Sequence, residues 1–164
     1  MSSKSDYSAD EWQTLLDTPM LVGAAVMVVG KSGLGTIKES FAIAQQTLGA
    51  IKAYPDNELI QAIMASRLQD KEKSSIESFS SPLLKLQPDE FKAEVVKTCA
   101  KANQILARKS SSDEAREYKQ WISEIADKVA HAASEGGILG FGGTRFSEAE
   151  QQAIDEIHAA LKSA

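Results

Sequence analysis

The apolar positions of this chain fall into several stretches at helical spacing, separated by glycine, proline and serine. Trp12, Leu15 and Leu16 share one face of a short segment that opens at Ser8, and Glu11 stands three residues on to complete a capping box. Thr18-Pro19 reads as an N-cap followed by N1, so the chain is expected to restart there. The next ten residues, Met20 to Val29, are apolar on every side. Periodicity alone does not separate a buried strand from a buried helix. The start signal is helical and no second strand is visible for pairing, so this run is assigned as a central buried helix.

Further stripes follow. Ile37, Phe41, Ala44, Leu48 and Ile51 predict a helix from about Thr36 to Tyr54, stopped by Pro55. Asp56 is placed as the cap of a helix that turns Leu59, Ile60, Ile63, Met64 and Leu68 inward. Residues 70–87, serine-rich, charged and broken by Pro82, read as a long connection pinned by Ile76, Phe79, Leu83, Leu84 and Leu86. Pro88 at N1 opens a helix to about Lys109 with Phe91, Val95, Ala102, Ile105 and Leu106 buried. Ser112 is placed as the cap of a helix carrying Tyr118, Trp121, Ile122, Ile125 and Val129. Ser147 and Glu150 form a second capping box, ahead of Ala153, Ile154, Ile157 and Leu161. The expected fold is all-α: one compact domain over 1–164, about seven helices around a central apolar helix, with 1–7 frayed.

Composition agrees. The 164 residues are 43% apolar and 25% charged, ordinary globular values, and enough chain for a core without disulfides or metal. The lone cysteine, Cys99, allows no internal disulfide and reads as a packed thiol. The net charge of −5 and scattered lysines argue against nucleic acid as a partner. No apolar run approaches the roughly 20 residues of a membrane span, and no secretory signal is visible. The chain is expected to be cytoplasmic and not an integral membrane protein.

The stretch VVGKSGLGTIKES, residues 28–40, raises the question of a phosphate-binding loop. Gly30 and Gly35 occupy the two glycine positions of that motif, but Thr36 stands at the lysine position and Ile37 at the hydroxyl position. The groups that would reach the phosphates and hold magnesium are missing. A sharp turn between packed helices is the simpler reading. A second glycine-rich connector, GGILGFGGTRF, precedes the last helix. The two connectors resemble each other, which suggests two pseudo-repeated helix–loop–helix halves.

Two segments, AHAASEGG with FSEAEQQAIDEIHAAL (130–137 and 146–161) and AAVMVVGKSGLGTIKESFAIA (24–44), resemble the tellurite-resistance TerB-like all-helical domains. About a third of the chain is covered, and the chain as a whole also resembles small helical proteins of bacteria. The resemblance implies a small-ligand or divalent-metal module linked to stress response, with Glu135, Glu148 and Glu150 as the metal-binding carboxylates near one loop. The chain departs from that pattern at the first loop, where Lys31-Ser32 replaces the acidic residues.

Chemistry-bearing patterns are sparse. Asp127, His131 and Glu135 form one stripe that reads as a solvated charge row. Asp155 and His158 match half of a di-iron motif, but Lys128 occupies the position the second half needs. No nucleophile–base order is apparent, so catalytic residues are not assigned and an enzyme is not expected. The favoured function is a non-enzymatic interaction module whose partner is another protein or a second copy. Its candidate surface is Ile138, Leu139, Phe141, Arg145 and Phe146 in the second connector; such a loop either tucks its apolar side chains inward or offers them to a partner. No cofactor is expected apart from that divalent metal.

Overall fold

The computed structural model describes residues 3–30, 53–69, 82–135 and 147–162. They form five α-helices: α1 (Ala9–Gly30), α2 (Glu58–Gln69), α3 (Pro88–Lys109), α4 (Ser112–Glu135) and α5 (Glu148–Lys162). Single turns of 3-10 helix lie at Lys4–Asp6 and Leu83–Lys85. The chain is all-helical, with no strand among the described residues. The helix expected over 36–54 lies almost wholly outside them.

α1 is the central element and packs against each of the other four helices. Leu15, Val22, Ala24, Ala25 and Val26 on it have no solvent exposure. Its sequence is long and apolar enough to cross a membrane by length and composition, and 72% of its most apolar window is buried inside the bundle. The outer helices turn their predicted stripes toward it. Phe91, Val95, Ile105 and Leu106 of α3, Tyr118, Trp121, Ile122 and Ile125 of α4, and Ile154, Ile157 and Leu161 of α5 are all buried. Two serines, Ser110 and Ser111, separate α3 from α4, a link short enough to lay the two helices side by side.

The start signals act as the sequence suggests at three helices. At α1, Ser8 N–H donates to Glu11 Oε2 (2.9 Å) and Glu11 N–H donates to Ser8 Oγ (3.2 Å). Pro88 stands in the first turn of α3. The Ser147–Glu150 box opens α5.

Four expectations are corrected. α1 does not restart at Thr18-Pro19; it runs through as one helix of 22 residues. The Thr18 hydroxyl donates back to the Thr14 carbonyl at 2.7 Å instead of capping forward. Asn57, not Asp56, caps α2, its Oδ1 accepting the Ile60 N–H at 3.0 Å. Ser111, not Ser112, caps α4, its Oγ accepting the Glu114 N–H at 3.3 Å while Glu114 Oε2 accepts the Ser111 N–H at 3.2 Å. The N-terminus is tied down from Ser3 onward. Tyr7 is buried, its hydroxyl lies 2.8 Å from Ser110 Oγ, and its ring packs against Trp12 at 5.9 Å between centroids. In the connection before α3, Leu83 and Leu86 rest on the core as expected.

Candidate functional site

The five residues assigned to partner binding, Ile138, Leu139, Phe141, Arg145 and Phe146, lie outside the described residues. The end of α1, which leads into the first connector, and the start of α5, which follows the second, are described, and they meet. The Glu150 carboxylate lies directly over the Cα of Gly30, the last residue of α1, so closely that a Cβ added at Gly30 would collide with Glu150 Oε1, Cδ and Cγ. Glu150 is buried, and its Oε2 accepts hydrogen bonds from Ser147 N–H (2.8 Å) and Ser147 Oγ (2.9 Å). The chain therefore leaves α1 and enters α5 at one end of the bundle.

The carboxylates assigned to metal sit in different settings. Glu148 is exposed in the first turn of α5, Glu150 is committed to the cap and to Gly30, and Glu135 is the last residue of α4, its side chain outside the description. Among the described residues, no group of three or more His, Cys, Asp or Glu side chains gathers as a metal would require. His131 is exposed and its Nδ1 lies 2.7 Å from the Asp127 carbonyl oxygen, a bond within its own helix.

Cys99 has no exposure, and burial pushes its thiol up to about 12. A thiol so placed holds its proton at neutral pH and is a packing residue rather than a nucleophile. The phosphate-loop question is answered by what precedes Gly30: residues 20–30 are helical, whereas that motif needs a strand.

Polar chemistry that the sequence did not group appears in two places. One is the Pro19 junction inside the bundle. The Arg67 guanidinium of α2 donates to the Leu16 carbonyl through one terminal nitrogen, and the other lies 3.9 Å from Met20 Sδ. Burial lowers the Arg67 pKa from its ordinary value and raises that of Asp17 across the same junction, and their mutual attraction opposes both shifts.

The other is a groove of about 270 Å³ between α4 and the last turns of α5. Ser112, Arg116, Lys119, Gln120 and Ser123 line it from α4, and His158, Leu161 and Lys162 from α5. None of these lining residues is acidic, although the chain carries 23 acidic and 18 basic residues. Lys119 Nζ donates to Asn103 Oδ1 of α3 at 3.2 Å, which steadies it at the groove wall. Arg116 pairs with Asp113 at 2.5 Å, with both side chains largely exposed. His158 Nε2 is buried and has no hydrogen-bond partner among the described residues. Arg116, Lys119 and Ser123 already share a face by spacing, but Lys162 joins them only in the folded chain.

Compared with protein-family models, curated proteins and solved structures, the chain matches none of them.

Proposed function

We propose that this chain is a non-enzymatic helical module that works by binding another protein or a second copy of itself. The proposed surface is the second glycine-rich connector, with Phe141 as its apolar anchor and Arg145 as its polar one. The observation that supports this reading is the contact of Glu150 with Gly30. It brings the end of α1 and the start of α5, where the chain enters the first connector and leaves the second, together at one end of the bundle. A large side chain among glycines, in a connector that leads into a capped helix, is the kind of element that anchors an interface.

The test is native mass spectrometry of the wild type and Phe141→Ala, read together with melting curves. Loss of a dimer or of a co-purified partner in Phe141→Ala, with the melting temperature held, supports the module. A large loss of melting temperature means that Phe141 is a core residue and sinks this version. Extra mass that leaves on adding a chelator would favour the metal-binding alternative built on Glu135, Glu148 and Glu150.

A further inference from the structure

The α4/α5 groove is lined from the first half of α4 and the last turns of α5, and its chemistry points to a different occupant. We propose that it binds a small organic anion through oxyanion groups, phosphoryl or carboxylate, held by Arg116, Lys119 and Lys162 with His158 at the wall.

Three features carry this. The first is sign: three cations, Arg116 among them paired with Asp113, and no carboxylate line one groove of a chain whose net charge is −5. Like charges brought together in a fold repel each other, and a bound anion relieves that repulsion. The second is the unpartnered His158 Nε2. A buried polar nitrogen without a partner is costly; here it is closed off from the groove, and a turn of the imidazole toward the groove would bring it to an oxyanion. The third is size. About 270 Å³ is at the lower end of small-ligand sites, and the α4 wall from Ser112 to Ser123 is roughly 17 Å long at about 1.5 Å per residue. That suits a metabolite-sized anion and is short for a nucleic-acid strand, which needs a longer track of phosphate contacts. The serine and glutamine on the α4 wall add neutral donors that fix orientation without adding charge. Lys162 also faces the carbonyl end of α5, an ordinary stabilising position for a lysine, so the test has to separate ligand binding from helix capping.

Pyrophosphate and citrate, titrated separately into the chelator-treated full chain at low salt, are the probes. Isothermal titration gives affinity, and the ring-nitrogen NMR signals of the two histidines report location. One-site saturation is expected with at least one probe, with His158 signals moving and those of His131 holding still. Pyrophosphate alone would indicate a phosphoryl ligand, citrate alone a carboxylate ligand. The pair Lys119→Gln and Lys162→Gln should weaken binding roughly tenfold or more, about 1.4 kcal/mol or more. Lys97→Gln with Lys101→Gln, exposed on α3, should leave it unchanged. If the groove pair perturbs folding, Arg116→Gln, at a largely exposed residue, takes its place and is expected to weaken binding in the same direction. No saturation with either probe overturns the proposal. So does binding that the groove variants leave intact or that leaves His158 unmoved, which is an adventitious ion only.

Discussion

The Tyr118 hydroxyl of α4 donates a hydrogen bond to the Leu15 carbonyl oxygen of α1 at 2.7 Å, where Pro19 has no N–H to give. In an unbroken helix the Leu15 oxygen would accept from residue 19. Proline removes that donor and its ring crowds the same carbonyl. Tyr118, with no solvent exposure, replaces the donor from outside the helix, and Arg67 adds a donor at the neighbouring Leu16 carbonyl. This is why α1 continues through a proline that would otherwise end it. Tyr118→Phe is expected to lower stability by about 1–3 kcal/mol, because it leaves a buried carbonyl without a donor. In a Pro19→Ala background, where the helix supplies its own N–H, the same change should cost clearly less. Urea unfolding of the four proteins of this cycle checks it. Equal costs in both backgrounds would mean that Tyr118 acts through packing alone.

A second cycle links α1 to α5. Gly30→Ala places a methyl group where the Glu150 carboxylate lies. Glu150 cannot swing away freely, because its Oε2 holds the Ser147 N–H and hydroxyl. Gly30→Ala should therefore destabilise by about 1–3 kcal/mol, the usual range for overpacking. Glu150→Ala should cost about 1 kcal/mol as a lost cap. Combined, the two should cost less than their sum, since removing the carboxylate makes room for the methyl. Strict additivity in thermal or urea unfolding would show that the two residues do not share that space.

The helical stripes were legible in the sequence because each outer helix has one apolar face turned to the interior, around an α1 whose residues 20–29 are apolar on every side. Trp121, Phe91 and Ile157 are where their spacing put them. The caps were legible wherever one strong signal stood alone, as at Ser8 and Ser147. They were misplaced where two candidates were adjacent. Asn57 prevails over Asp56 because its amide also reaches Glu117 Oε2 (2.9 Å) and the Glu114 carbonyl (3.3 Å) on α4, contacts that exist only after folding. Ser111 was recoverable, since Glu114 stands three residues on and completes the box. The Pro19 junction was not recoverable, because the donor that replaces its missing N–H comes from residue 118. The groove was hidden for the same reason: Arg116 and Lys119 share a helix, while Lys162 arrives from another.

The N-terminal tie makes a pH prediction. The Lys109 ammonium, then the Ser8 N–H, hold the Glu11 carboxyl down at about 2, below its ordinary 4.5. A carboxyl whose folded pKa is depressed binds its proton more tightly unfolded than folded. Its stabilising contribution is therefore complete above about pH 4.5 and is lost as pH falls toward 2. Glu11→Gln should flatten the acid limb of the stability curve in that window and leave the curve's shape above pH 5 unchanged. Lys109→Met should flatten it partly, since the Ser8 bond remains. Urea midpoints measured from pH 2 to 7 decide this; an acid limb identical in all three proteins would assign acid unfolding to other groups.

Cys99 supplies a measure of how firmly the bundle is closed. It sits on α3 with no exposure, and its thiol is held protonated by burial. A disulfide reagent needs the thiolate and a path to it. At pH 8 the native protein should therefore react far more slowly than the urea-unfolded chain, by roughly the factor by which opening is rare. Labelling that accelerates in step with global unfolding across a urea series would show that α3 leaves the core only when the whole bundle does. Fast labelling in the absence of urea would mean that α3 separates from α1 locally, and that the core described for Phe91, Val95 and Leu106 opens without global unfolding. Tyr118→Phe should raise the native labelling rate by the same factor by which it lowers global stability if opening is global. A labelling rate indifferent to Tyr118→Phe would place the opening of α3 outside the cooperative unit that α1 and α4 form at Pro19.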